Sequence, residues 1–142
     1  SITNYGENLG NILKNNKPLY KESEMDIVNR AIQTKDSKKL EELNQIINTF
    51  TKISKEMKAV PVPKQFEKAH LDMVNGINIV VFGLGEVKFV LNDSIRGLKG
   101  IQIYGQGLSL FLPSFKATVD FINTNNINYK QGSGGYYLLY RI

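Results

Sequence analysis

The chain has 142 residues, of which 42% are hydrophobic and 22% charged, a composition typical of one folded globular domain. It contains no cysteine, which excludes a disulfide framework, a thiol nucleophile and a cysteine-based metal site. The net charge is +5, but only three of the 18 basic residues are arginine. Because proteins that read DNA grooves rely on arginine, the low arginine content argues against specific nucleic-acid binding. The preferred interpretation of the charge is solubility, and a general attraction to anionic surfaces or membranes is the alternative.

The first part of the chain predicts three helices. Residues 2–14 place their apolar side chains on one helical stripe, which the polar run before Pro18 ends. A second helix over about 23–35 has acidic residues early and a lysine late, as the helix dipole favours. Asp36 or Ser37 then caps a third helix, which runs to about residue 59.

The second part predicts a long antiparallel hairpin of two helices. The alternation of valine and proline over 60–63 forces an extended connection. A fourth helix then runs from about Pro63 to Leu91, and a fifth from Ile95 to about Asn123. In both, apolar residues follow the 3-4-3-4 spacing of helices packed in a bundle. The rows are Phe66, His70, Met73, Ile77, Val80, Leu84, Val87 and Leu91 in the fourth helix, and Leu98, Ile101, Gly105, Leu108, Leu112, Phe115, Val119 and Ile122 in the fifth.

Seven glycines lie within this predicted hairpin, although each destabilises a helix by roughly 1 kcal/mol relative to alanine. The preferred interpretation is close backbone approach between the two helices. A hinge or an error in the helix assignment is the alternative. Pro113 also lies inside the fifth helix and predicts a kink there. The glycines are Gly76, Gly83, Gly85, Gly97, Gly100, Gly105 and Gly107.

Both hairpin helices carry apolar residues on more than one side. Such a helix is either surrounded within its own domain or covered by a partner. The first three helices offer limited protein to cover both, so an interface is the preferred interpretation. The additional apolar residues are Leu71, Val74, Val81, Phe82 and Phe89 in the fourth helix, and Tyr104, Leu110, Phe111, Ala117 and Phe121 in the fifth.

The tail after Asn123 predicts two short strands around a glycine loop. The runs at 127–131 and 136–142 are rich in β-prone residues, and the sequence Gly-Ser-Gly-Gly separates them. Because an isolated hairpin of strands is marginally stable, the tail must pack on its own bundle or pair with a neighbouring subunit. A glycine-rich remnant of cloning is the remaining interpretation.

Residues that carry chemistry are few. His70 is the only histidine, and its position in the apolar row predicts a buried core side chain. Glu67 and His70 have the spacing of a carboxylate-bridged metal unit, but that chemistry needs a second such unit, which the chain lacks. The glycine pairs at 83–85 and 105–107 lack the third glycine of a dinucleotide-binding loop. We therefore predict no catalytic residue, no metal and no cofactor.

Three segments resemble helical proteins of the ultra-small, host-dependent bacteria of the candidate phyla radiation. They are Val60-Pro-Val-Pro-Lys64, Ala69-His-Leu-Asp-Met-Val-Asn75 and the run over 92–104. In that group a proline-containing connection precedes a helix that starts His-Leu-x-x-x-Asn, and a second long helix follows a short turn. The resemblance covers about residues 36–122. It implies a secreted or surface-exposed protein made with an N-terminal targeting segment, with which a mature chain starting at Ser1 agrees.

The sequence thus predicts one all-α domain over 1–142: about five helices with a long antiparallel hairpin over 63–123 and an aromatic, β-like tail over 124–142. The predicted function is a non-enzymatic, extracytoplasmic structural subunit that self-associates into a surface filament or another symmetric assembly. The alternative is a monomeric module that binds an apolar ligand, a peptide or a membrane surface. The predicted interface residues are Val81, Phe82, Phe89, Tyr104, Phe111, Tyr136, Tyr137, Leu139 and Tyr140.

Overall fold

The structure is a computed structural model that describes residues 1–17 and 22–142, so that Pro18 lies outside the described residues. Over these ranges it consists of helices and their connections, without a strand. The all-α prediction is therefore confirmed, but the helices exceed the five predicted. They are α1 (Ile2–Asn15), α2 (Glu24–Thr34), α3 (Ser37–Glu41), α4 (Leu43–Lys58), α5 (Glu67–Val87), α6 (Ser94–Thr124) and α7 (Gly134–Tyr140), with a 3₁₀ turn (Lys64–Phe66) before α5.

The predicted third helix is divided into α3 and α4 at Glu42. Of the two residues predicted to cap this helix, Asp36 is the cap of α3. Its carboxylate accepts a hydrogen bond from the Lys38 amide at 3.0 Å. Glu42 keeps helical angles, φ −61° and ψ −24°, but its amide bonds to the Lys39 carbonyl in a tighter, three-residue pattern. The division is thus a local change of hydrogen bonding.

The prediction of a β-like tail is wrong, because residues 134–140 form the helix α7. Ser133 caps this helix, its hydroxyl accepting from the Tyr136 amide at 3.2 Å. The two backbone amides at its start, those of Gly134 and Gly135, donate to the Glu7 carboxylate of α1 at 2.9 and 2.8 Å. The β-prone residues therefore become helical because a neighbouring helix satisfies the first amides of α7.

Glycines allow α7 to press against α1. A Cβ atom added at Gly10 of α1 would collide with the backbone of Gly134, and one added at Gly134 would collide with Glu7 and Asn11 of α1. The glycine run that predicted a loop between strands instead provides a helix surface without side chains. The tail docks on its own bundle, which was one of the interpretations left open.

The hairpin of α5 and α6 is held in the same way. A Cβ at Gly76 would lie 2.9 Å from the Gly107 carbonyl oxygen, and one at Gly83 would lie 2.8 Å from the Gly100 carbonyl oxygen. Gly97 faces Val90 at the turn end of the hairpin. Close backbone approach is therefore confirmed for five of the seven glycines. Nothing lies within 4 Å of a Cβ built at the other two, Gly85 and Gly105.

The buried side chains form two clusters along α5. One gathers residues of α1, α4, α5, α6 and α7 around Tyr5 and Phe66, whose rings stack at 4.5 Å between centroids. The other gathers residues of α2, α3, α4 and α5 around Leu43 and Leu84. Helix α6 packs mainly along α5, and this leaves much of its surface uncovered by other helices.

Candidate functional site

His70 is a buried structural residue, as its position in the apolar row predicted. Its Nε2 lies 2.9 Å from the Met57 carbonyl oxygen, which only accepts hydrogen bonds, so Nε2 carries the hydrogen. Its Nδ1 lies 2.8 Å from the Tyr5 hydroxyl, which donates to it. Burial lowers the pKa of His70 and raises that of Tyr5. Both ring nitrogens are thus occupied by protein partners.

The described residues contain no cluster of three or more histidine, cysteine, aspartate or glutamate side chains that could hold a metal ion. Among the helices of these same ranges, none combines the length and apolar character needed to cross a bilayer. Two apolar surfaces of the described residues have a capacity for binding.

The first such surface is an apolar groove between α6 and the rest of the bundle, with a volume of about 400 Å³. All of its walls are helices, and the aliphatic and phenyl side chains on them come from α1, α4, α5 and α6. These side chains are Leu13, Phe50, Ile53, Ile77, Val80, Leu108, Phe111, Leu112 and Phe115. A concave, largely apolar surface of this size is typical of small-molecule sites.

The polar groups of the groove are Asn16, Tyr137 and Arg141. The Asn16 amide already donates to the Ile12 carbonyl at 2.7 Å and to the Glu56 carboxylate at 2.8 Å. Arg141 ends α7 in the left-handed conformation at φ 61°, and its guanidinium lies 4.6 Å from the centre of the Phe115 ring. Burial lowers the pKa of Arg141. The groove therefore combines apolar walls with a cation that remains exposed to solvent.

The second surface consists of two rows on the outside of the hairpin. The outer row of α5 contains Leu71, Phe82 and Phe89, the last in the turn after the helix; their separations of 11 and 7 residues place them on one side. The outer row of α6 follows 3-4 spacing over positions 95–112. Its large apolar residues are Ile95, Leu98 and Leu112, and the positions of the row between Leu98 and Leu112 hold polar or small residues. These six residues are exposed, Phe82 to 59%. Large apolar side chains exposed in rows are a signature of contact surfaces.

The predicted interface residues divide between surface and interior. Phe82, Phe89 and Tyr140 are exposed, whereas Tyr136 and Tyr137 are half-buried. Four others are partly buried and pack against the two core clusters: Val81, Phe111 and Leu139 against the first, and Tyr104 against the second.

Two of the predicted residues, Phe111 and Tyr137, line the groove together. Sequence reasoning missed the groove itself and the position of Arg141. The sequence offered one signal for this position: the chain has only three arginines, and one of them, Arg141, ends an aromatic segment.

No protein-family model, curated protein or solved structure matches the chain. The resemblance to surface proteins of the candidate phyla radiation therefore stays a prediction.

Proposed function

We propose that the protein is a non-enzymatic, extracytoplasmic structural subunit that self-associates through the outer rows of α5 and α6. The observation that supports this function is the distribution of exposed apolar residues. Seven of the ten large hydrophobic residues that are exposed in the described chain belong to the hairpin, namely the six residues of the outer rows and Phe121. Burying such rows against a second copy would remove them from water, which is favourable in proportion to the area covered.

The construction of the hairpin suits it to this role. Because glycines bring the backbones of α5 and α6 into contact, the two helices form a thin unit whose seam needs no large side chains. At the turn, Arg96 donates to the Glu86 carboxylate through Nε at 2.5 Å and Nη2 at 3.1 Å, and its guanidinium lies 3.6 Å from the Phe89 ring centre. These contacts hold the end of the outer row of α5 in place.

Light scattering coupled to size-exclusion chromatography tests self-association over a hundredfold range of protein concentration. The wild-type chain should exceed its monomer mass of 16.0 kDa as concentration rises. Phe82→Glu should return it to the monomer, because a charge on the outer row would be buried in the interface. Ile32→Glu is the matched control, since Ile32 of α2 is also exposed but lies outside the hairpin. A wild-type monomer at every concentration would refute the proposal.

A second candidate function is a monomeric module that binds an apolar ligand, a peptide or a membrane surface. The groove favours it, because a monomer that keeps about 400 Å³ of apolar space open to solvent has a place for an apolar guest. Size measurements separate the two candidates, since a binding module stays monomeric and responds to the ligand instead.

A further inference from the structure

The groove is polar at one end only. Its walls are aliphatic and phenyl side chains, and its cation, Arg141, is held where α7 ends. The Arg141 amide donates to the Tyr137 carbonyl at 2.7 Å, which fixes the backbone, and its Nη1 donates to the Leu138 carbonyl. The guanidinium thus has a defined position above Phe115.

The charge of Arg141 has no protein counterion in the described part of the chain. The ion pairs formed there are made by other residues. The Glu56 carboxylate accepts a hydrogen bond from Asn16, a residue that lines the groove, and its ion pair is with Lys52 at 3.9 Å. A second cation, Lys17, lies 5.9 Å from the ring centre of Tyr137, which is one of the residues that line the groove. This end therefore has an excess of positive charge and complements an anion.

We propose that the groove binds an anionic amphiphile with a single acyl chain, such as a fatty acid, with its carboxylate at Arg141 and its chain along the apolar walls. The proposal rests on the second candidate function and names the ligand class for it. Leu112 is the one residue that lines the groove and also belongs to an outer row, so self-association is tested separately through Phe82.

The shape and polarity of the groove decide between an acyl chain and a peptide. A helix with its side chains is about 10 Å wide and does not fit a space of about 400 Å³. An extended peptide would bury backbone amides against walls that offer them no hydrogen-bond partner. A fatty acid carries its polar atoms at one end, as the groove does. A bound carboxylate would also give the guanidinium over Phe115 a charged partner.

Calorimetric titration with octanoate, decanoate and dodecanoate, below their micelle concentrations, tests whether the groove binds the acyl chain. Affinity should rise by about fourfold per added methylene, the ratio expected for a buried CH₂. Leu112→Trp should weaken dodecanoate binding at least about tenfold, because Leu112 is 54% exposed and a larger side chain there extends into the groove. Leu98→Trp is the matched control: Leu98 is 58% exposed on the same helix but does not line the groove, so binding should be unchanged.

Dodecanol tests the charged anchor, because it has the same chain without the carboxylate. The wild-type protein should bind dodecanoate about tenfold or more tightly than dodecanol, as expected for a hydrogen bond between charged groups. Arg141→Gln should bring the two affinities together, and Arg141→Lys should restore part of the difference. This ratio separates anchoring from folding, since a loss of structure at α7 would weaken both ligands alike.

Equal affinities for dodecanoate and dodecanol in the wild-type protein would overturn the anionic anchor and leave the apolar binding module standing. Absence of saturable binding by either ligand would overturn both. Binding that Leu112→Trp leaves unchanged would show that the groove is not the site, and would overturn the proposal as well.

Discussion

Replacing Gly107 by alanine should destabilise the protein, whereas the same change at Gly105, two residues away in α6, should stabilise it. A Cβ at position 107 would lie 2.7 Å from the amide nitrogen of Val80, while ordinary contact begins near 3.4 Å. The helices would therefore have to separate by about 0.7 Å along their seam. A Cβ at Gly105 meets nothing within 4 Å.

The two substitutions share the same gain in helix propensity, about 1 kcal/mol for glycine to alanine. Gly107→Ala adds a steric cost of about 1–3 kcal/mol, the range observed for overpacked interiors. The propensity gain cancels between the two variants, so their difference in free energy of unfolding measures the steric cost alone. We expect Gly105→Ala to be more stable than Gly107→Ala by about 1–3 kcal/mol.

Urea unfolding followed by circular dichroism at the helix band measures this difference. Gly83→Ala and Gly85→Ala in α5 repeat the comparison, because a Cβ at Gly83 would lie 2.5 Å from the Tyr104 amide nitrogen and one at Gly85 meets nothing. Alanine variants that agree within about 0.5 kcal/mol in each pair would refute backbone contact as the reason for the glycines.

Two further predictions concern buried polar contacts. Burial lowers the pKa of His70 in the folded protein, so the unfolded chain takes up the proton first as the pH falls. The contribution of His70 to the free energy of unfolding should therefore be fully present above pH 6.5. Below that pH the free energy of unfolding should fall by up to about 1.4 kcal/mol per pH unit as the pH drops towards 5. His70→Gln should remove this slope, and a slope that persists in the variant would assign it to other groups. Glu7→Gln should weaken the start of α7, because an amide offers one accepting oxygen to the two glycine amides that the carboxylate binds. Hydrogen exchange of the α7 amides should accelerate about tenfold or more, and unchanged exchange would contradict this role of Glu7.

The proposed functions use different surfaces of one helix pair. The outer rows point away from the seam of α5 and α6, whereas the groove lies between α6 and the bundle. Phe82→Glu changes only an outer row, and Arg141→Gln changes only the groove, whereas Leu112 belongs to both surfaces. A protein that both self-associates and binds an acyl chain would lose self-association with Phe82→Glu and its preference for dodecanoate over dodecanol with Arg141→Gln.

Local patterns in the sequence predicted most of the helices. The 3-4-3-4 rows placed α5 and α6, and polar caps placed the starts of α3 and α6, since a helix end needs a partner for its first amides within a few residues. Asp93 is such a cap in α6: its carboxylate accepts a hydrogen bond from the Arg96 amide at 3.1 Å. The burial of His70 and the contact of glycines across the hairpin could also be predicted from the sequence, because both follow from helical periodicity.

The tertiary structure alone decided the state of the tail and the existence of the groove. Residues 136–140 favour strands by composition, but Glu7, 127 residues before Gly134, supplies the hydrogen bonds that stabilise the first turn of α7. The groove likewise brings Arg141 over Phe115 and gathers it with side chains of α1 and α4 around one space. Contacts between residues so far apart along the chain leave no periodic signal, since periodicity records which side of a helix is buried and not which helix covers it.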